Sequence, residues 1–211
     1  MRFELRKLVW RILGFDYQMM LDKNDFTLLK NDSYTKIGEK TYDNGAKVWR
    51  WSNAPLTIGN YCSIANNVNF IIDEGNHKMS SITNFPIANN LFKNENTING
   101  IDKKTFFSKF KQKEGITIGN DVWIGMGAYI MPEVTVWNGL TIAANSVVTR
   151  DVSDYTVVAG VPANVIKVKY IIYKLNNIAW WNWKESIIKE RVSGFYNSTD
   201  FFVNKYFKNE N

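Results

Sequence analysis

The 211-residue chain holds one cysteine, one histidine and four prolines. A lone cysteine excludes an internal disulfide and suits a reducing compartment, which points to the cytoplasm. A lone histidine with no CxxC pair excludes a site built from several imidazoles or thiolates, so no metal is expected. No stretch reaches the roughly eighteen apolar residues of a membrane span. The net charge of +6 comes without an aromatic–basic RNA motif or a zinc finger, so nucleic acid is not an expected partner. The apolar start, FELRKLVWRILGF, is interrupted by Arg11 and lacks the small-residue cleavage site of a signal peptide. Aromatics, by contrast, are plentiful, and eight tryptophans argue for a packed core rather than disorder.

What the chain does have is a six-residue period. Ile118, Ile124, Ile130, Val136, Ile142 and Val148 follow one another at that spacing, as do Ile58, Ile64 and Phe70. Neither a helix nor a single strand generates it, whereas the coils of a parallel β-helix do. The fourth residue after each aliphatic is mostly small or aliphatic: Cys62, Val68, Val122, Ala128, Val134, Leu140, Ser146 and Val152. The third often tolerates positive φ: Asn67, Asp121, Gly127, Gly139, Asn145 and Asp151. Each hexad therefore reads as a short strand and a turn with the aliphatic pointing inward. Cys62 reads as core filler rather than as a nucleophile.

The fold expected is an all-β solenoid with helical ends, over residues 31–168, carrying an irregular polar insertion at 76–115. The period resumes in phase at Ile118, sixty residues beyond Ile58. Long loops on regular scaffolds are commonly functional. Within residues 16–57, alternating runs such as Lys47–Trp51 read as strands leading into the first coil. Residues 1–30 read as a basic amphipathic helix, with Phe3, Leu5, Leu8, Val9, Ile12 and Leu13 against Arg2, Arg6, Lys7 and Arg11. Such a helix either lies on an anionic membrane surface, through residues 1–15, or packs on its own domain or a neighbouring subunit. Residues 169–211 read as a helical cap, with two short helices around Ala179-Trp180-Trp181-Asn182-Trp183 closing the open end.

The single histidine, His77, falls where the coil gives way to the insertion. An imidazole titrates near neutral pH and can take and return a proton, although position alone equally suits a solvated or structural residue. The segments IGNYCSIANNV (58–68), GNHKMSSITNFP (75–86), IGNDVWIGMGAYIMPEV (118–134), AGVPANVIK (159–167) and AWWNW (179–183) carry a resemblance. In that order they resemble the hexapeptide-repeat acyltransferases, in particular the xenobiotic acetyltransferase branch with its type B chloramphenicol and streptogramin acetyltransferases. The resemblance implies a left-handed parallel β-helix, a homotrimer with sites between subunits, and acetyl-CoA as acyl donor. It makes His77 the general base for direct attack of an acceptor hydroxyl or amine, with Asn76, Met79, Asn84 and Phe85 on the acceptor side. Trp123 is implied near the cofactor, and Ala143, Ala144, Thr149, Arg150, Gly160 and Lys167 along the CoA edge. Trp123 equally suits packing between coils or subunits, and the basic residues equally suit a solvated surface.

Two departures concern the acceptor. The basic N-terminal helix lies outside the antibiotic-modifying pattern, and the insertion carries Lys103, Lys104, Lys109, Lys111 and Lys113. Such a run is either a solvated face or a receptor for a diphosphate or anionic glycan. The expected activity is acetyl transfer to a sugar or nucleotide-linked amino sugar in surface polysaccharide (O-antigen or capsule) biosynthesis. The alternatives are an antibiotic acceptor, and, in another class, a non-catalytic scaffold. A zinc carbonic anhydrase of related fold needs several histidines and is excluded.

Overall fold

The computed structural model describes residues 26–73, 82–108 and 114–207. The chain enters as β1 (Phe26–Leu28) and winds a first coil of β2 (Thr35–Ile37), β3 (Tyr42–Asp43) and β4 (Lys47–Trp49). A second coil follows as β5 (Leu56–Ile58), β6 (Ser63–Ile64) and β7 (Asn69–Ile71). The insertion contributes α1 (Ile87–Leu91), a hairpin of β8 (Thr97–Ile98) and β9 (Ile101–Asp102), and α2 (Lys103–Ser108). Its described part is thus ordered into elements rather than irregular. Winding resumes with β10 (Ile116–Ile118), β11 (Trp123–Ile124) and β12 (Tyr129–Ile130), then β13 (Thr135–Val136), β14 (Thr141–Ile142) and β15 (Val147–Val148). It finishes with β16 (Thr156–Ala159) and the antiparallel β17 (Asn164–Val168).

Strands three apart in the winding stack in parallel, giving a first sheet β13-β10-β5-β2 and a second sheet β17-β16-β14-β11-β6-β3. The third runs β1-β4-β7-β12-β15, with β1 antiparallel on its edge. The register places Ile58 on Ile118, Ile64 on Ile124 and Phe70 on Ile130. The insertion therefore interrupts the winding without shifting it. All nine residues of the six-residue series are buried, as is the set from Cys62 to Val152 four places on. The core is one continuous apolar column. Cys62 is fully buried, and its thiol lies against the Gly119 carbonyl at 3.1 Å.

The turn rule holds at Asn67, Asp121, Gly127, Gly139 and Asn145, all with positive φ, and extends to Tyr61 and Glu133. It fails at Asp151, which is not among the positive-φ residues. Its carboxylate accepts from the Thr135 amide at 2.7 Å, where the winding narrows to a single bridge from Val136 to Val152. Residues 1–25 lie outside the described residues. Residues 26–28, expected within the N-terminal helix, form a strand because Phe26 packs on Trp49, with ring centroids 5.2 Å apart, and pairs into the third sheet.

After β17 come α3 (Ile172–Ile178), α4 (Glu185–Glu190), α5 (Val192–Phe195) and α6 (Thr199–Tyr206), four helices where two were expected. Their contacts run along the corner between the first and second sheets. Asn176 Nδ2 donates to Asp154 at 3.0 Å in the last coil, and Asn60 Nδ2 donates to the Trp181 carbonyl at 3.3 Å in the second. Lys40 meets Glu185 at 2.8 Å in the first coil. The tail thus lies along the solenoid's flank rather than across its open end. The second apolar cluster, with Tyr155, Leu175, Ile178, Trp181, Phe202 and Val203, holds it there.

Candidate active site

The corner between the second and third sheets carries part of the expected CoA edge. Ala143 and Ala144 follow β14, and Gly160 follows β16 one coil on. They are joined through the backbone, since the Ala143 amide donates to Val158 at 2.9 Å and Gly160 accepts from Val147 at 3.0 Å. Gly125 lets these coils close up, since a Cβ there would stand 2.6 Å from the Ala144 nitrogen. Gly160 itself has φ 101°, which favours glycine, and its amide donates to the buried Ser146 hydroxyl at 3.2 Å.

Thr149 and Arg150 follow β15 at the next corner, both exposed. The Arg150 Nη2 donates to Asn164 Oδ1 at 2.7 Å, so its guanidinium lies beside the turn that begins at Gly160. Ala143, Ala144, Arg150 and Gly160 therefore gather around the last coils. Lys167 is on β17 opposite Val157, at the end of the second sheet. Trp123 stands on the outer face of the same sheet between Ser63 and Thr141, 57% exposed. Asn84 and Phe85 stand on the segment leading into α1, and Phe85 is 53% exposed, with its amide donating to Thr83 Oγ1. His77, Asn76 and Met79 lie outside the described residues, as do Lys109, Lys111 and Lys113.

The insertion contains an open hollow of about 600 Å³ lined by Lys103, Lys104, Thr105, Phe107 and Ser108. Lys103 is already engaged, because its ammonium donates to the Phe92 carbonyl and, at 3.4 Å, to that of Lys93. Among the described residues, the expected lysine run is represented at the hollow by Lys103 and Lys104. Earlier in the insertion, in α1 and the segment before it, Ile82, Phe85, Ile87 and Leu91 are exposed apolar residues.

Sequence reasoning missed the polar group beneath the insertion. Asp73 is 3% exposed and accepts from the Trp51 amide at 3.1 Å, the Ser52 amide at 2.9 Å and the Ser52 hydroxyl at 2.7 Å. The only sequence signal was an acid at a hexad's turn position, a place that Asp121 and Asp151 also fill. No group of three or more His, Cys, Asp or Glu among the described residues could hold a metal ion. No helix among them is long and apolar enough to cross a membrane.

Residues 115–150 match the bacterial transferase hexapeptide family (six repeats). The "probable macrolide acetyltransferase" of Lysinibacillus sphaericus is 35% identical over 178 residues, covering 82% of this chain and 95% of that protein. A chloramphenicol acetyltransferase of Klebsiella aerogenes is 35% identical over 160 residues, covering 72% and 70%. A galactoside O-acetyltransferase of Escherichia coli (strain K12) is 50% identical over 52 residues, covering 25% and 26%. With a relative matched over nearly its whole length, the chain belongs to the hexapeptide-repeat acetyltransferases and is an acyl-CoA-dependent acetyltransferase.

Proposed function

We propose that the chain transfers acetyl from acetyl-CoA to a hydroxyl or amine of a sugar, as in surface polysaccharide biosynthesis, by direct attack. His77 takes the proton as the acceptor atom adds to the thioester carbonyl. The tetrahedral intermediate then collapses, the carbon–sulfur bond breaks, and CoA leaves with the proton returned by the imidazolium. No nucleophile is needed, in keeping with the buried place of Cys62, whose thiol burial pushes up out of the thiolate range.

The observation that carries the sugar reading is the hollow beside α2. Two cationic side chains, of which Lys103 already donates to backbone carbonyls, two hydroxyl-bearing side chains and one aromatic ring suit an acceptor recognised by hydrogen bonds and stacking. A second reading, an antibiotic acceptor, is favoured by the exposed Ile82, Phe85, Ile87 and Leu91 and by the extent of the match to the macrolide and chloramphenicol enzymes. We further infer a left-handed winding and a homotrimer in the cytoplasm, with Trp123, Tyr129 and Trp137, all exposed on the flanks, covered by neighbouring copies. Residues 1–15 are proposed as a peripheral contact with an anionic membrane surface, on their amphipathic pattern.

The test is CoA-thiol release from acetyl-CoA with nucleotide-linked amino sugars, free sugars, chloramphenicol and streptogramins as acceptors. Release with a sugar, lowered at least about a hundredfold in His77→Ala with CoA binding retained, is the expected result. Release with drugs alone would overturn the sugar reading, and normal turnover in His77→Ala would overturn the base.

A further inference from the structure

The insertion leaves and rejoins the solenoid against one short stretch, Trp51–Pro55. On the departure side this is the Asp73 contact with Trp51 and Ser52. On the return side the Ile116 amide donates to the Pro55 carbonyl at 3.0 Å. Gly115, with φ 87°, lies so close that a Cβ would stand 2.0 Å from that oxygen. The stretch is itself held from behind. Arg50 Nη1 donates to the carbonyls of Ser52 at 3.2 Å and Ala54 at 2.6 Å, while its Nη2 meets Asp32 at 2.7 Å. Both partners of that ion pair are largely buried, at 11% and 3% side-chain exposure.

A buried carboxylate is costly unless several donors satisfy it, and Asp73 meets three from the adjacent pair Trp51 and Ser52. The corresponding turns of later coils hold their acids nearer the surface, where they accept from the Glu114 amide at 3.4 Å and the Thr135 amide at 2.7 Å. Glu133 is half-buried and Asp151 exposed. The buried anchor belongs to the coil from which the insertion departs, four residues before His77. Four residues span at most about 14 Å, so fixing Asp73 restricts where the imidazole can stand.

We propose that Asp73 is a positioning residue for acetyl transfer, acting by pinning the start of the insertion to Ser52. This rests on the reading of His77 as base. The experiment measures kcat, the KM for acetyl-CoA and the melting temperature of Asp73→Ala, Asp73→Asn and Ser52→Ala, with His77→Ala alongside. Asp73→Ala is expected to lower kcat at least about tenfold, since a misplacement of about 1 Å can cost a hundredfold. The KM for acetyl-CoA should stay within about twofold, because the expected CoA edge lies coils away. Asp73→Asn, whose carbonyl oxygen can take the place of Oδ2, should recover most of the activity, and Ser52→Ala should fall between. Unchanged kcat in Asp73→Ala, or in Ser52→Ala should Asp73→Ala not fold, overturns the anchor while a silent His77→Ala stands. Failure of Asp73→Asn to recover activity, with kcat and melting temperature falling together, also overturns it. Full turnover in His77→Ala overturns the base and the anchor together.

Discussion

Asp121 shows how one turn residue acquires a chemistry that its type does not announce. It sits in left-handed backbone with φ 56° at the corner along which the tail lies, and the Trp180 indole donates to its carboxylate. Desolvation pushes its pKa up to about 6, against the lowering pull of Lys169 and of the Trp180 hydrogen bond. Tyr155 and the buried Cys62 also face it, and both are themselves pushed up by burial first and by the Asp121 charge further down. A raised carboxyl pKa means that the fold favours the protonated form. Stability is then greatest below the unfolded value near 3.8 and declines as pH rises through 6. Asp121→Asn removes that penalty and keeps an acceptor for the indole. At pH 7.5 its melting temperature should exceed the parent's by at least about 3 °C, and at pH 4 the two should converge. A loss of stability at pH 7.5 would mean that the Lys169 attraction outweighs desolvation.

At the scale of the element, each coil is tied to the next by side-chain oxygens that mimic strand pairing. The Glu39 amide donates to Asn60 Oδ1 and the Asn60 amide to Asn120 Oδ1, each at 2.8 Å. The Asn120 amide donates to Asn138 Oδ1 at 2.8 Å and the Asn138 amide to Asp154 at 2.7 Å. The preceding glycine makes room, since a Cβ on Gly59 would stand 2.6 Å from both Asn120 Oδ1 and the Gly119 oxygen. Gly59→Ala should cost about 1–3 kcal/mol, and Asn120→Ala a similar amount by stranding the Asn60 amide. Because they share one contact, the double variant should be more stable than the sum predicts by at least about 0.5 kcal/mol in denaturant titrations; additivity would show that the backbone oxygen alone sets the limit. The repeated Ile-Gly-Asn was in plain view, and so was the inward series, because a fixed period survives any turn chemistry. The first coil was not legible as a coil. Its strands pair Ile37, Asp43 and Val48 with the inward Ile58, Ile64 and Phe70, so the step shortens once and an acid replaces an aliphatic. Asp43 fits because its carboxylate turns to the Gly45 and Ala46 amides.

For the whole molecule, local period says which residues point inward but not what lies against the outside. The tail's path along the flank depends on Tyr61 meeting Trp180 at 4.9 Å and on Lys40 meeting Glu185, contacts between residues more than a hundred positions apart. Likewise the sequence motif named Ala143, Ala144, Arg150 and Gly160, which the winding gathers, but not Asp73, whose partners come from the previous coil. The N-terminal pattern poses the remaining question at this scale. If residues 1–15 contact anionic lipid, their removal should leave the oligomer and acetyl transfer to a soluble acceptor intact. Each basic residue near such a surface contributes about 1 kcal/mol. Loss of Arg2, Arg6, Lys7 and Arg11 should therefore weaken co-sedimentation with phosphatidylglycerol vesicles at least about a hundredfold. Binding of the full chain should also fall with added salt, as screening shortens the reach of the charges. If light scattering instead shows the oligomer dissociating on deletion, the segment's apolar face is packed within the assembly and the membrane contact is wrong.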